Sequence, residues 1–271
     1  MEALRQIDDW GAEHASAGVA RPGEVVGRHG QADVELRWAS VTKLATAVAT
    51  LVAAEEGVVD LDAPAGPPGS TVRHLLAHAS GLPFEGDVPI ARPGQRRIYS
   101  NTGFEQLADA VAEAAEMPFA DYLARAVFEP IGAHATLRGS PAGDVYGTLD
   151  DLLALGRELL EPTVVAAETL AEATAVQFPG LGGVLPGVGR FDPNDWGLGF
   201  ELKDAKSPHW TGSRNSPGTF GHFGASRTFL WADPERQLAC ACLTDREFDD
   251  WALEEWPRLS DAVLESAQSS A

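Results

Sequence analysis

The strongest constraint on this chain is a lysine inside an apolar helical run. Apolar residues recur at helical spacing from Val41 to Val52 and the run closes at Gly57, which predicts a helix that begins near Ser40 with a buried face. Lys43 lies one turn after Ser40, so the two side chains share a helix face, with their β-carbons about 5–6 Å apart. Apolar surroundings lower the pKa of a lysine, which lets its amine act as a base.

The same pair has a simpler explanation. Ser40 could cap the helix while the Lys43 ammonium extends out of it into solvent. Two observations favour a catalytic role for the pair. The chain contains only three lysines, so a lysine in an apolar helix is unusual here. The free N–H groups and the positive dipole end of a helix start also suit an oxyanion. Companion motifs are needed to decide between the two.

The first companion, Tyr99-Ser100-Asn101, lies between the turn Pro93-Gly94 and a helix-like run that starts at Phe104. A tyrosine near a cation can share or lose its proton and carry it between a serine and a leaving group. An asparagine side chain can both donate to and accept from a substrate amide. The alternative is a tyrosine that packs its ring, followed by an asparagine in a turn.

The second companion, His222-Phe223-Gly224, lies in a segment from Thr219 to Leu230 whose aromatic and β-branched content predicts a strand. A glycine inside a strand often marks a place where a ligand comes close to the backbone. An H-x-G motif is common by chance, so its weight depends on the other two motifs.

Together, Ser40-x-x-Lys43, Tyr99-x-Asn101 and His222-x-Gly224 resemble the three signature motifs of the serine β-lactamase and DD-peptidase superfamily, in the branch of class C β-lactamases and family VIII carboxylesterases. The resemblance extends from about residue 24 to about residue 265. Further similar stretches, in the family's order, are 74–82, 99–104, 128–132, 146–148 with 150–152, and 196–200.

The resemblance implies an α+β fold of the β-lactamase/transpeptidase type. An antiparallel sheet would be flanked by N- and C-terminal helices and interrupted by an inserted all-helical domain. We predict that residues 1–60 and 175–271 form the discontinuous sheet domain and that residues 61–174 form the insert. The active site would lie in the cleft between them.

Hydrophobic periodicity and turn signals predict the individual elements. The predicted helices span 3–14, 72–78, 104–116, 119–128, 149–160 and 249–266. The predicted strands span 24–27, 34–36, 197–202, 219–223, 227–232 and 238–243, and a loop is predicted over 179–189.

The resemblance also implies roles for the motif residues. Ser40 would attack a carbonyl while Lys43, helped by Tyr99, takes its proton. The oxyanion would lie between the backbone N–H groups of Ser40 and Ala225. The residues that would bind substrate are Asn101, which orients the acyl side chain, His222, which holds the Tyr99 hydroxyl or a substrate polar group, Phe223 and Gly224.

Two of these positions depart from the family's usual pattern. His222 stands where lysine is frequent, and Phe223 replaces the hydroxyl residue that usually faces a substrate carboxylate. An apolar ester or amide therefore fits better than a penicillin or a D-alanyl peptide. Arg227 could supply a substitute charge, but strand alternation would put it on the face of Phe223 and Ala225.

Composition and the chain's start bound the partners and the location. The net charge of −20 disfavours nucleic acid and anionic membranes. Cys240 and Cys242 alternate in a strand-like run, which predicts no disulfide between them. The first residues turn polar and acidic at once, with no signal core and no apolar span of 18 residues, so we predict a cytoplasmic protein with an internal substrate.

Other motifs favour neither a metal nor a cofactor. His74 and His78, four apart on a predicted helix, lack the H-E-x-x-H pattern and a third ligand, so we predict structural roles, and His78 resembles a family histidine behind the site. The chain has no G-x-S-x-G elbow. Trp196, Trp210 and Trp231 could line the cleft, although core packing is the usual role of such residues.

These observations predict a serine hydrolase that forms an acyl-enzyme with a small-molecule ester, amide or lactam. Its activity would be esterase- or amidase-like, with weak or absent β-lactamase activity. One alternative is a true class C-like β-lactamase or DD-peptidase. Another is a catalytically silent member of the family that only binds. The oligomeric state is open.

Overall fold

The computed structural model describes residues 1–247 and 249–268. Its helices are α1 (Thr42–Glu55), α2 (Val72–Leu76), α3 (Asn101–Ala115), α4 (Phe119–Leu123), α5 (Leu149–Glu158), α6 (Ala167–Ala173) and α7 (Ala252–Gln268). Its strands are β1 (Ala15–Arg21), β2 (Glu24–Gly30), β3 (Leu36–Arg37), β4 (Arg97–Ile98), β5 (Thr136–Leu137), β6 (Val145–Gly147), β7 (Gly183–Leu185), β8 (Gly189–Phe191), β9 (Glu201–Leu202), β10 (Phe220–Phe223), β11 (Phe229–Asp233) and β12 (Leu238–Thr244).

A six-stranded sheet with the order β2-β1-β12-β11-β10-β9 forms the centre of the fold. Every neighbouring pair in it is antiparallel. Its strands come from both ends of the chain, and the intervening segment is mostly helical. This segment also contains β4, β5 and β6, which belong to two small three-stranded sheets. The division into two domains at 60 and 175 stays a prediction.

Both faces of the central sheet are buried, and β12 shows how. Cys240 and Cys242 belong to an apolar cluster with α7 and the N-terminal 3-10 helix Glu2–Trp10. Ala239, Ala241 and Leu243 belong to the cluster on the opposite face, where α5 packs against β12 and β1. This alternation is the period of two that a strand imposes. The predicted fold class, an antiparallel sheet flanked by terminal helices, is confirmed.

No disulfide joins the two cysteines, as predicted, and the structure shows that both are buried. Burial raises the pKa of both thiols, which keeps them protonated and unreactive.

Strand β1 was missed because its sequence, ASAGVAR, has few residues that favour strands. It pairs in register with β12 from Ala15 opposite Thr244 to Ala20 opposite Ala239, and with β2 on its other side. Small side chains suit this position because α5 packs closely over β1. Tertiary packing, rather than propensity, makes this segment a strand.

Other predicted boundaries were wrong in detail. The helix expected over 3–14 is the 3-10 helix Glu2–Trp10, which is capped by Gly11 with a φ of 63°. The strand expected over 197–202 is only β9, and the loop expected over 179–189 contains β7 and the start of β8. Within the described ranges, no helix has the length and hydropathy to cross a membrane.

Helix α1 is buried on all sides from Thr42 to Ala53 and packs against α3, α4 and β10. Two of its threonines face one segment. The Thr42 hydroxyl accepts a hydrogen bond from the Val145 N–H at 3.1 Å, and the Thr46 hydroxyl donates to the Pro141 carbonyl at 2.7 Å. These bonds fix the segment 141–145 beside the start of the helix.

Gly199 locks α1 to the connection before β9. Its φ is +88°, and an added β-carbon would lie 2.2 Å from the β-carbon of Ala47 on α1. We expect Gly199→Ala to cost about 1–2 kcal/mol for the left-handed backbone and about 1–3 kcal/mol more for the clash. Gly57→Ala is the matched control, because Gly57 also has a positive φ of +72° but no atom within 4 Å. Urea unfolding of both variants measures the difference.

The clash itself is tested by adding Ala47→Gly. If the two β-carbons collide, the double variant is more stable than the sum of the two single changes predicts. Additive losses would contradict the clash.

Candidate active site

Ser40 lies in a 3-10 turn, Ala39–Val41, that leads directly into α1. The preceding residue, Ala39, has a φ of 47°, which is unusual for any residue other than glycine and costs backbone strain. Ser40 is half-buried and borders two separate cavities. The turn therefore presents the hydroxyl at the surface of an otherwise buried helix start.

Lys43 is fully buried, and its amine has three polar neighbours. Nζ donates to the Asn101 side-chain oxygen at 2.7 Å and to the Ala142 carbonyl at 2.7 Å, and it lies 3.4 Å from the Ser40 hydroxyl oxygen. Burial is the main cause that holds the pKa of Lys43 well below its ordinary 10.5. The simpler explanation, a lysine that extends into solvent, is excluded.

The hydrogen-bond geometry suits a neutral amine. Such an amine has two N–H bonds and one lone pair, and the two carbonyl-type oxygens at 2.7 Å occupy both N–H bonds. The lone pair then remains for the third neighbour, the Ser40 hydroxyl. In this state Lys43 can accept the serine proton.

Tyr99 and His222 form a buried pair beside Ser40. The His222 ring donates from Nδ1 to the Phe223 carbonyl at 2.6 Å, which leaves Nε2 as the acceptor for the Tyr99 hydroxyl at 3.3 Å. Burial, followed by the nearby Lys43, lowers the pKa of His222 to about 3, so the ring is neutral at ordinary pH. Burial also raises the pKa of Tyr99, against the effect of a hydrogen bond with Ser40, so Tyr99 is a phenol.

Two further aromatic side chains enclose this pair. His78 accepts the Ser100 N–H at its Nδ1 atom at 3.2 Å, and its ring centroid lies 4.5 Å from that of Tyr99. The Trp196 ring packs edge-on against both Tyr99 and His222, at centroid distances of 6.0 and 5.9 Å. His78 follows the end of α2 with a φ of 53°, so it does not share a helix face with His74.

His74 faces elsewhere, where it contacts Thr71 and stacks on Phe178. The three tryptophans considered for the cleft, Trp196, Trp210 and Trp231, are at least 99% buried and border neither cavity at Ser40. They pack in the core, which was their expected default.

Gly224 brings the end of β10 against the Ser40 turn. A β-carbon on Gly224 would lie 2.9 Å from the Ser40 backbone nitrogen and 2.7 Å from the Ala39 β-carbon. Only glycine permits this approach without displacement. It places Ala225 beside Ser40, and both residues border the same cavity.

The two cavities at Ser40 differ in polarity. One, of about 170 Å³, has mostly apolar walls that include Phe84, Tyr99, Leu185 and Phe223. The other, of about 570 Å³, has polar walls that include Arg37, Asn101 and Glu105. A larger open cavity of about 980 Å³ lies between the β1–β2 turn and α5, and no predicted site residue borders it.

Arg227 does not reach the site as a substitute charge. Its φ is 53° in the turn after β10, and its buried guanidinium pairs with Asp249 and stacks on Trp251. The predicted strand 227–232 starts instead at Phe229, which removes the alternation on which the expectation depended.

Sequence reasoning missed three components of the site. The Ala142 carbonyl is a backbone group, so its side chain carries no signal. Phe84 stacks on Tyr99 at a ring-centroid distance of 5.9 Å, and Leu185 ends β7 in the hairpin that β7 forms with β8. Neither residue belongs to a motif. The sequence shows only that an aromatic residue follows Gly81-Leu82-Pro83, and the exposure of Phe84 is visible in the structure alone.

Known proteins resemble the whole chain. A crystal structure of a beta-lactamase from Mycobacterium bovis superposes with a TM-score of 0.96 at 52% identity, covering 98% of this chain and 99% of that one. EstCE1, a hydrolase with promiscuous acyltransferase activity, has a TM-score of 0.78 at 18% identity over 97% of each chain, which shows a shared fold.

Among curated proteins, the D-alanyl-D-alanine-carboxypeptidase/endopeptidase AmpH of Escherichia coli K12 is 30% identical over 49% of this chain. The match covers 44% of AmpH, so the chain spans less than half the length of this relative. The Beta-lactamase family model matches residues 5–264. The family resemblance drawn from the motifs is thereby confirmed, and the chain belongs to the beta-lactamase family.

Proposed function

We propose that this protein is a serine hydrolase that cleaves a small-molecule ester or amide through an acyl-enzyme on Ser40. The observation that carries the proposal is the Lys43 amine, which is fully buried, 3.4 Å from the Ser40 hydroxyl oxygen, with two carbonyl-type oxygens on its N–H bonds. A structural lysine would not need a hydroxyl at the surface of a cleft as its third neighbour. Membership of the beta-lactamase family supports the same chemistry.

In the acylation step, Ser40 Oγ attacks the substrate carbonyl carbon and its proton moves to the Lys43 amine. The negative charge that develops on the carbonyl oxygen is stabilised by the backbone N–H groups of Ser40 and Ala225, which Gly224 brings together. The bond to the leaving group then breaks, and Tyr99 gives its proton to the leaving atom. Lys43 returns its proton to Tyr99, and a water molecule later hydrolyses the acyl-enzyme by the reverse route.

The remaining residues orient these groups. Asn101 holds the Lys43 amine and borders the polar cavity, where it can bind the acyl side chain. His222 holds the Tyr99 hydroxyl as a neutral acceptor, so it supplies no positive charge. The cytoplasmic location and the absence of a cofactor remain predictions from the sequence.

A second candidate is a true β-lactamase or DD-peptidase, which the beta-lactamase of Mycobacterium bovis and AmpH favour. Against it, the walls next to Tyr99 are apolar, and Phe223 occupies the position where a carboxylate would need a partner. A silent binding protein is the third candidate, and the intact arrangement of Ser40, Lys43 and Tyr99 argues against it.

The nucleophile is tested by labelling with a fluorophosphonate and measuring intact mass. We expect one adduct on the wild type and none on Ser40→Ala. Lys43→Met should react about 100- to 10,000-fold more slowly, because the general base is lost. Lys203→Met is the matched control, since Lys203 borders neither cavity at Ser40. A wild-type protein that gains no adduct would favour the silent binding protein.

The substrate class is tested by comparing short-chain p-nitrophenyl esters with a chromogenic cephalosporin. We expect measurable ester turnover that Ser40→Ala abolishes, and slow or absent cephalosporin turnover, because the apolar walls leave a carboxylate without a partner. A kcat/KM for the cephalosporin far above that for the esters would establish the second candidate instead.

The pH dependence of kcat/KM separates the roles of Lys43 and His222. Lys43 acts while unprotonated, and burial lowers its pKa well below 10.5, so the plateau should extend well below pH 10 and the rate should fall as pH drops through that lowered pKa. His222, with a pKa of about 3, should not titrate between about pH 5 and 8. His222→Asn should therefore leave the acid limb in place, and a limb near the ordinary histidine pKa that disappears in this variant would contradict the assignment.

A further inference from the structure

Ser40 lies at the junction of the two cavities, and the groups around it are divided between them. Tyr99 and His222 border only the apolar cavity, and Asn101 borders only the polar one. A substrate whose carbonyl carbon lies at Ser40 must therefore place its two halves in environments of opposite polarity.

The direction of the substrate follows from the proton that the leaving group needs. An alcohol or amine leaves as a neutral molecule only when it receives a proton, and proton transfer requires a donor within hydrogen-bond reach. In the proposed function that donor is Tyr99, whose hydroxyl is hydrogen-bonded to His222 and which lines the same apolar cavity as Ser40. The leaving group must then enter the cavity that Tyr99 borders, and the acyl half must extend toward Asn101.

The size of the apolar cavity limits what it can hold. Its volume is about 170 Å³, slightly above the volume of about 150 Å³ at which an apolar cavity binds benzene. Its apolar walls include Phe84, Tyr99, Leu185, Pro186 and Phe223. One six-membered ring or a chain of similar volume fits this space.

The lack of charged side chains in the apolar cavity also limits which groups it can bind. Among its lining residues, all within the described part of the chain, there is no lysine or arginine. His222 is the only titratable side chain there besides Tyr99, and burial keeps its imidazole neutral. Arg227, in the turn after β10, forms an ion pair with Asp249 and does not line the cavity. A carboxylate on the leaving group would lose its water without gaining a partner.

We propose that the apolar cavity is the leaving-group pocket and that it selects an uncharged alcohol or amine about the size of one six-membered ring. The inference rests on the proposed function, which implies the orientation of the substrate, and it adds the size and charge of the leaving group. In the step concerned, the bond between the acyl carbon and the leaving oxygen or nitrogen breaks, and the Tyr99 hydroxyl proton goes to that atom. The proton that Lys43 took from Ser40 restores the phenol, so the net result is an acylated Ser40 and a neutral alcohol or amine.

The orientation is tested with two isomeric esters, benzyl acetate and methyl phenylacetate. They contain the same atoms but carry the ring on the leaving group and on the acyl group, respectively. We expect kcat/KM for benzyl acetate to exceed that for methyl phenylacetate by at least about 10-fold, after correction for their rates with hydroxide, because burial of a ring contributes on this order or more. A preference for methyl phenylacetate, or equal rates, would overturn the orientation.

The pocket itself is tested with neighbouring residues on β7. Leu185 borders the cavity, whereas the adjacent Val184 points away and is 51% exposed. Leu185→Ala should raise the rate of naphthylmethyl acetate relative to benzyl acetate by about 10-fold, because it makes room for a second ring. Val184→Ala should leave that ratio unchanged. An unchanged ratio in Leu185→Ala, with normal fluorophosphonate labelling of Ser40, would overturn the pocket.

The charge selectivity is tested with 4-carboxybenzyl acetate, whose carboxylate is remote from the reacting bond. We expect its kcat/KM to be lower than that of benzyl acetate by about 10- to 100-fold in the wild type, and Pro186→Lys at the cavity edge to reduce this difference. Equal rates in the wild type would overturn the selectivity. Loss of all ester turnover without Ser40 labelling means failure of the proposed function, whereas labelling with turnover indifferent to the leaving group means failure of this inference alone.

Discussion

The burial of the Lys43 amine is the interaction on which the rest of the site depends. An amine without solvent is tolerated only if its hydrogen-bonding atoms all have partners. Asn101 at the start of α3, the Ala142 carbonyl in the segment after β5 and the Ser40 hydroxyl supply those partners. Three parts of the chain that are far apart in sequence must therefore be held within a few tenths of an ångström. Thr42 and Thr46 contribute by tying the same segment to α1.

Two glycines let neighbouring backbone segments approach the Ser40 turn and α1 closely, and a larger residue would not fit at either position. Gly224 lets β10 reach the Ser40 turn, and Gly199 lets the connection before β9 reach the middle of α1. The Ser40 turn and helix α1 are thus each held by a close backbone contact. The strained backbone of Ala39 is a cost of the same design, since it turns the chain so that the next residue faces the cleft. Packing around α1 must compensate for that strain.

Neutral groups dominate the side of the site where Tyr99 lies. Burial keeps Tyr99 protonated and His222 uncharged, and the hydrogen bond from the His222 ring to the Phe223 carbonyl selects the tautomer that accepts from Tyr99. A neutral histidine in this position therefore orients the Tyr99 hydroxyl and supplies no positive charge. The apolar walls of the adjacent cavity follow the same principle, because charge without a partner is costly there.

The sequence by itself determined the family, the helix that begins near Ser40, and the set Ser40, Lys43, Tyr99 and His222 as site candidates, because local periodicity and short motifs carry them. The antiparallel sheet with its terminal helices followed from the family resemblance of those motifs. It did not determine β1, whose small residues form a strand only because β12 and β2 pair with it, nor the turn that sends Arg227 to Asp249. The Ala142 carbonyl, the walls formed by Phe84 and Leu185, and the polarity of the two cavities were also decided by the tertiary structure alone. The physical reason is that the position of a backbone carbonyl, the burial of an amine and the shape of a cavity depend on contacts between segments that are distant in sequence. A local sequence pattern does not specify those contacts.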